Sequence, residues 1–99
     1  MFKELDPVLH SQLRLSIMSL LIGVRSAEFT YLMEKTSATR GNISVQLKKL
    51  EEAGYIEIRK SFRRNYPLTT CYITQKGIKS FRDYVDALSD YIRQKPDSA

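Results

Sequence analysis

Between Ile43 and Ile58 the spacing of apolar residues changes from three and four to two, and the change falls at Gly54. Ile43, Leu47 and Leu50 stand at i, i+4 and i+7, one stripe of an α-helix. Ile56 and Ile58 instead alternate with Tyr55, Glu57 and Arg59, so the two isoleucines point inward and the other three outward, as in a half-buried strand. The chain must therefore pass from helix to strand within "EEAGYIEI", where Gly54 is suited to the left-handed conformation that ends a helix. Thr39 is placed to cap the other end, which predicts a helix from Thr39 to Ala53. Its first turn holds Gly41 and Asn42, together about 1–1.5 kcal/mol less favourable than two alanines. The front of this helix is weaker than its stripe requires.

The alternation resumes in "LTTCYI", with Cys71 and Ile73 inward and Thr70 and Tyr72 outward, so the two runs read as an antiparallel hairpin. "RRNYP" lies between them, and Phe62 to Leu68 reads as a long basic tip, more generous than the two-residue loop that joins many hairpins. Upstream, Leu9, Leu13, Ile17, Leu20, Leu21 and Val24 mark a first core helix, entered near Pro7 or Ser11 and stopped at Gly23. A short extended piece over Ala27 to Phe29 follows, then a two-turn helix capped by Thr30 and carrying Tyr31, Leu32 and Met33, too short to stand alone in water. Downstream, Thr74 caps a last helix that tolerates Gly77 in its first turn. Its apolar positions Ile78, Phe81, Val85, Leu88 and Ile92 repeat as 3-4-3-4, widened by Tyr84 and Tyr91. Residues 75–93 thus read as a heptad seam for self-association, with packing inside the domain as the alternative. The polar tail, 95–99, is expected to fray.

Ninety-nine residues suffice for one small core, and no internal repeat or linker divides the chain, so 1–99 reads as a single domain. No run approaches the roughly 18 apolar residues of a membrane span, and "MFKELDPVLHSQLR" lacks the basic end and apolar run of a secretion signal, so a cytoplasmic location is expected. Cys71 is the single cysteine. It has no internal disulfide partner and belongs to no Cys/His cluster, so neither metal nor cofactor is expected, and it reads as a small buried side chain. His10, the single histidine, reads as a packing or capping residue. No nucleophile has a visible base, no paired carboxylates lie in a strand-end or cleft context, Glu51 and Glu52 reading as a helix surface pair, and no phosphate-cradling glycine motif occurs, so an enzyme is not expected.

The net charge of +5 is unevenly spread. Residues 39–64 carry seven bases, Arg40, Lys48, Lys49, Arg59, Lys60, Arg63 and Arg64, against Glu51, Glu52 and Glu57. Residues 1–38 are balanced. Basicity focused in this way is the footprint expected of a polyanion-binding face. A short helix, a three-residue turn and a second helix with a polar outer face form a helix-turn-helix pattern, and the hairpin is a wing beside it. The predicted fold class is mainly α with a small β-hairpin wing (α+β): a winged helix-turn-helix with a long C-terminal helix.

The stretches "LDPVLHSQLRLSIMSLL", "FTYLMEKTSATRGNISVQLKKLEEAGYIEI" and "TTCYITQKG", in this order, resemble the winged-helix transcription regulators of the MarR and ArsR type, and most closely a short archaeal and bacterial subgroup. The resemblance covers residues 5 to 93. It implies that Thr39 to Ala53 is a recognition helix, that Arg63 to Asn65 is the wing tip, and that double-stranded DNA is bound by a homodimer. The ligand sets of ArsR-type metal sensors have no counterpart here. The extra terminal helices of larger MarR-type proteins are absent too, so a dedicated effector pocket is not implied.

Within that frame the recognition-helix candidates are Thr39, Arg40, Asn42, Ser44, Val45, Gln46, Lys48 and Lys49. Asn42 can pair bidentately with adenine, Ser44 is adaptable, and Val45 suits a thymine methyl. The two lysines suit phosphates, and Gln46, on the flank of the stripe, can reach a base edge or a second helix. Arg59, Lys60, Arg63, Arg64 and Asn65 are the wing candidates; Tyr66 could stack on DNA or pin the loop. Ile78, Phe81, Tyr84, Val85, Leu88, Tyr91 and Ile92 are the dimer candidates. The expected function is sequence-specific DNA binding as a dimeric transcriptional regulator, a repressor if it blocks polymerase. The alternative is a winged-helix protein-interaction module in a nucleic-acid machinery assembly.

Overall fold

The computed structural model describes residues 2–93; the tail expected to fray lies outside the described residues. In chain order the elements are α1 (Gln12–Val24), β1 (Ser26–Glu28), α2 (Phe29–Thr36), α3 (Arg40–Glu52), β2 (Ile56–Arg63), β3 (Tyr66–Ile73) and α4 (Gln75–Ile92). The apolar stripe of α3 is the centre of the core: Ile43, Leu47 and Leu50 are buried against Ile17, Met18 and Leu21 of α1 and Leu32 of α2. Burying each such side chain contributes about 1.5–3 kcal/mol. That is how an eight-residue α2, unstable by itself, is held.

The strands form one antiparallel sheet in the order β1-β3-β2. The short extended piece is thus the third strand of the sheet, pairing Glu28 with Thr70 and Ser26 with Tyr72. Its lateral cover leaves Thr70 and Tyr72 half-buried instead of fully outward. Gly54 has φ +80°, and its N–H donates to Glu51 O at 2.9 Å, closing α3 before β2 begins.

Several local readings are corrected. Gly23 does not stop α1. The helix runs through Val24, and Arg25 takes the positive φ of 72°, its carbonyl accepting from Ile73 N at 3.0 Å. The pull of the sheet, not glycine freedom, ends the helix. Leu9 is buried but precedes α1, because Asp6 closes a turn around Pro7: its carboxylate accepts from Val8 N at 2.9 Å and its carbonyl from Leu9 N and His10 N. Thr30 caps nothing; β1 flows into α2, with Glu28 at the capping position and no side-chain bond there. Tyr55 is buried, not outward, since it lies in the turn before β2 where strand alternation has not begun. Its hydroxyl donates to the Asp6 carboxylate, and burial foremost, with that contact, raises its pKa.

The long tip is also corrected. β2 and β3 stay paired out to Arg63 and Tyr66, leaving only Arg64 and Asn65 as the turn. Both have positive φ, 51° and 69°, as the mirror-image turns of two-residue hairpins require. Pro67 does not break the ladder. It lies one place beyond the bonded pair that flanks the turn, so its nitrogen faces the open edge of β3 where β1 no longer runs.

α4 begins as expected, with Thr74 Oγ1 accepting from Gly77 N at 2.9 Å. Its apolar seam divides. Ile78 and Tyr84 are buried within the chain together with Ala87, and Phe81 and Leu88 pack partly on the core, whereas Val85, Tyr91 and Ile92 are exposed. His10 Nδ1 meets the Tyr84 hydroxyl at 3.0 Å, tying the N-terminal segment to α4.

Candidate nucleic-acid interface

Thr39 caps α3 through its hydroxyl, which accepts from Asn42 N at 3.2 Å. From this cap one side of α3 is buried by its stripe. Arg40, Gly41, Asn42, Ser44, Val45, Lys48 and Lys49 are all exposed on the remaining sides. A Cβ built on Gly41 would meet nothing within 4 Å, so the chain's own packing does not call for glycine there. The Arg40 guanidinium lies 5.1 Å from the centre of the Phe29 ring, which steadies it at the front of the helix. Lys48 makes an exposed contact with Glu51 at 3.5 Å, a pair too solvated to hold the lysine from another anion.

Between α3 and the hairpin runs an open cleft of about 650 Å³, walled by Arg40, Ser44, Lys48 and Glu51 on one side and by Lys60 and Thr69 on the other. Leu47 and Ile58 form its apolar floor. Lys49 lies on the other flank of α3, beside Pro7 and Arg14.

The pleat sorts the wing candidates onto two faces. Lys60 and Phe62 follow Ile56 and Ile58 and face the α3 side. Arg59 and Arg63 face away from it: Arg59 lies 4.5 Å over the Tyr72 ring and 3.7 Å from Glu57, and Arg63 bonds Glu28 at 3.2 Å. Arg64 and Asn65 occupy the tip. The five residues therefore do not share one face of the hairpin. Two exposed aromatics, Phe62 at 76% and Tyr66 at 75%, join them at the far end of the hairpin. Phe62 sits on the inward phase of the alternation, beyond the point where the core ends, and that mismatch is the signal a sequence reading could have used.

Gln46 is half-buried and reaches in two directions, to Arg14 of α1 and to Asn42 one turn back. Arg14 carried no sequence signal. It stands 32 residues from its partner.

Cys71 is fully buried at the centre of the sheet, and burial, with a smaller push from the Glu51 carboxylate, raises its thiol to about 11. Among the described residues no three His, Cys, Asp or Glu side chains group as metal ligands, and no helix is long and apolar enough to cross a membrane.

A family model described as a winged helix DNA-binding domain matches residues 13–92. An uncharacterized protein of Methanocaldococcus jannaschii is 41% identical over 78 residues, 79% of this chain and 85% of that one. Among solved structures, a transcriptional regulator homologue from Pyrococcus horikoshii superposes with a TM-score of 0.81 at 27% identity, over 86% of this chain and 84% of that one. NadR in complex with 4-hydroxyphenylacetate gives 0.70 at 20% identity, over 87% and 63%. Reduced AbfR bound to DNA, a Staphylococcus epidermidis protein, gives 0.71 at 15% identity, over 83% and 58%. The last two likenesses are of fold.

Proposed function

The chain belongs to the winged helix DNA-binding domain family, and from that premise we propose that it binds double-stranded DNA sequence-specifically as a dimeric transcriptional regulator acting as a repressor in the cytoplasm. Its α3 enters the major groove, which is about 12 Å wide and admits one helix. Arg40, Asn42, Ser44 and Val45 face base edges, while Lys48 and Lys49 hold phosphates.

The observation that carries this reading is the cleft between α3 and the hairpin, where Arg40 and Lys48 face Lys60 across an open gap. Three bases line the cleft against one carboxylate, Glu51, whose 3.5 Å contact with Lys48 is solvated, and this excess of positive charge favours an anion there, which a phosphate backbone supplies. Lys60 and Arg64 are the wing contacts, the first on the α3 side of the hairpin and the second at its tip. Arg59 and Arg63, on the face of the hairpin turned away from α3, contribute less. In a dimer, two copies of α3 about 34 Å apart would read a pseudo-palindromic site, and occupancy of such a site by the dimer blocks polymerase.

Duplex titration over a salt series tests this. Each lost phosphate contact lowers the slope of log affinity against log salt by roughly 0.9. Lys60→Ala and Arg64→Ala should each lower it, Arg59→Ala should leave it nearly unchanged, and Asn42→Ala should alter the sequence selected from a duplex library. A chain that binds no duplex, or selects no sequence, is not a sequence-specific regulator, and the protein-interaction reading would then take its place.

A further inference from the structure

Gln46 makes two side-chain hydrogen bonds of opposite sense. Its Oε1 accepts from Arg14 Nη1, and its Nε2 donates to Asn42 Oδ1 at 3.1 Å. A carboxamide can usually be turned end for end at little cost, but this one cannot. The guanidinium is a donor at every nitrogen and offers no acceptor. Arg14 is itself fixed from behind, its Nε donating to the Val8 carbonyl at 2.6 Å. Turning Gln46 over would set Nε2 against Nη1, donor against donor. Its oxygen must face Arg14, so its nitrogen faces Asn42.

The constraint passes on. With Oδ1 of Asn42 held toward Gln46 along the helix, one of its two lone pairs is taken, while both N–H donors of the Asn42 amide are unspent in the described contacts. We infer that Arg14 is a positioning residue which, through Gln46, sets Asn42 to present donors to the DNA, so that this position selects guanine over adenine. Guanine shows two acceptors in the major groove, N7 and O6, whereas adenine shows the acceptor N7 beside the N6 donor. Bidentate pairing of Asn42 with adenine needs Oδ1 to receive N6–H, and the relay points that oxygen along the helix. The inference rests on α3 being the major-groove helix.

Gln46→Glu isolates the relay. It keeps an acceptor for Arg14, as an ion pair, so the contact between α1 and α3 stays supported, but it cannot donate to Asn42. Asn42 then turns over, gives its N–H to the new carboxylate and shows its oxygen to the base. The experiment selects from a duplex library and reads the position whose preference is lost in Asn42→Ala. Wild type should favour guanine over adenine there by roughly tenfold. Gln46→Glu should move the preference to adenine, and Arg14→Lys, which keeps the charge but loses the fixed fork, should bring the ratio near one with the salt slope unchanged. In the free protein, the Asn42 side-chain amide resonances should shift in Arg14→Lys, although Arg14 does not bond Asn42.

Adenine preferred by wild type, or a ratio indifferent to Gln46→Glu and Arg14→Lys, overturns the inference while leaving DNA binding intact. So does a salt slope that falls by about one in Arg14→Lys with the base preference kept, since that is the signature of a phosphate contact. If wild type shows no preference at any position, the major-groove reading fails and the base selection falls with it. The amide resonances then still decide the relay: Asn42 signals unmoved by Arg14→Lys overturn it in the free protein.

Discussion

The α-carbon of Gly77 lies against the carbonyl oxygen of Tyr55, so closely that a Cβ added there would overlap the oxygen and approach Ile73 Cγ1 to 3.1 Å. The same carbonyl accepts from Thr74 N at 3.0 Å, and the Thr74 hydroxyl donates to Gly54 O at 2.7 Å. The start of α4 is therefore clamped to the point where α3 becomes β2. α3, the hairpin and α4 meet at this one junction.

Gly77→Ala should accordingly destabilise the protein by about 1–3 kcal/mol, the range for overpacking a well-filled site. The obstruction is backbone, which cannot swing aside as a side chain would. Urea unfolding reads it as a lower midpoint at an unchanged m value. A loss below about 0.5 kcal/mol, the scatter of ordinary surface substitutions, would mean that the junction opens easily.

The period change at Gly54 and the cap at Thr39 were legible because helix and strand spacing and capping chemistry are local. The same is true of Thr74. What escaped depends on partners distant in sequence. Whether "RRNYP" is a loop or the end of a hairpin turns on which side of Pro67 carries the ladder, and that is fixed only by the register of β3 on β2 and the short reach of β1. Gly77 looked merely tolerated, because its need for a missing side chain comes from Tyr55 on another element. In α4 a 3-4-3-4 spacing permits either flank to face inward; the packing of α4 on α1 chose Tyr84 and Ala87 over Val85. The outward candidates on α3 were legible from its stripe, but the bond from Arg14 that organises Gln46 and Asn42 was not.

Arg64 and Gly41 are positions where local stability and the proposed contact pull apart. An arginine at φ 51° holds a conformation that costs a residue with a Cβ roughly 1 kcal/mol, and Gly41 forgoes nearly as much helix propensity. Arg64→Gly and Gly41→Ala should each raise stability by about 0.5–1 kcal/mol. Both should weaken DNA binding, the first by losing a phosphate contact and the second by adding a methyl group where the helix meets the groove. Paired melts and titrations check this; a gain in stability with affinity unchanged would remove that position from the interface.

Cys71 gives the fold a pH dependence on the alkaline side. Burial raises its thiol from an ordinary 9.0 to about 11. Below pH 9 the thiol is neutral in both states and its contribution is constant. Between 9 and 11 the unfolded thiol loses its proton while the folded one keeps it, so the unfolded state binds fewer protons and stability falls as pH rises. The loss is on the order of 1–3 kcal/mol, and Tyr55, also raised, acts in the same direction. Stability measured from pH 8 to 11 should fall less steeply in Cys71→Ala than in wild type; parallel curves would show that the thiol titrates in the folded state near its ordinary value.

Val85 and Ile92 lie two helical turns apart on one line of α4 and are 43% and 78% exposed, while Ile78 and Tyr84 are already spent on the protomer's own core. Tyr91 extends the patch: its ring stacks on Phe2 at 4.5 Å and its hydroxyl donates to the Lys3 carbonyl at 3.1 Å. Apolar side chains left over from the core, in line on a terminal helix, are what a second copy of α4 would bury, each contributing about 1.5–3 kcal/mol if fully covered. Deleting α4 cannot test this, because it would also take Ile78 and Tyr84 from the core. Val85→Asp and Ile92→Asp act on the exposed line alone. The wild-type chain should sediment as a dimer at about 50 µM and the double variant as a folded monomer, since association is governed by protomer concentration. The variant should keep its affinity for a half-site and lose the gain from a palindrome. A wild-type chain that sediments as a monomer at this concentration would assign the outer face of α4 to something other than self-association.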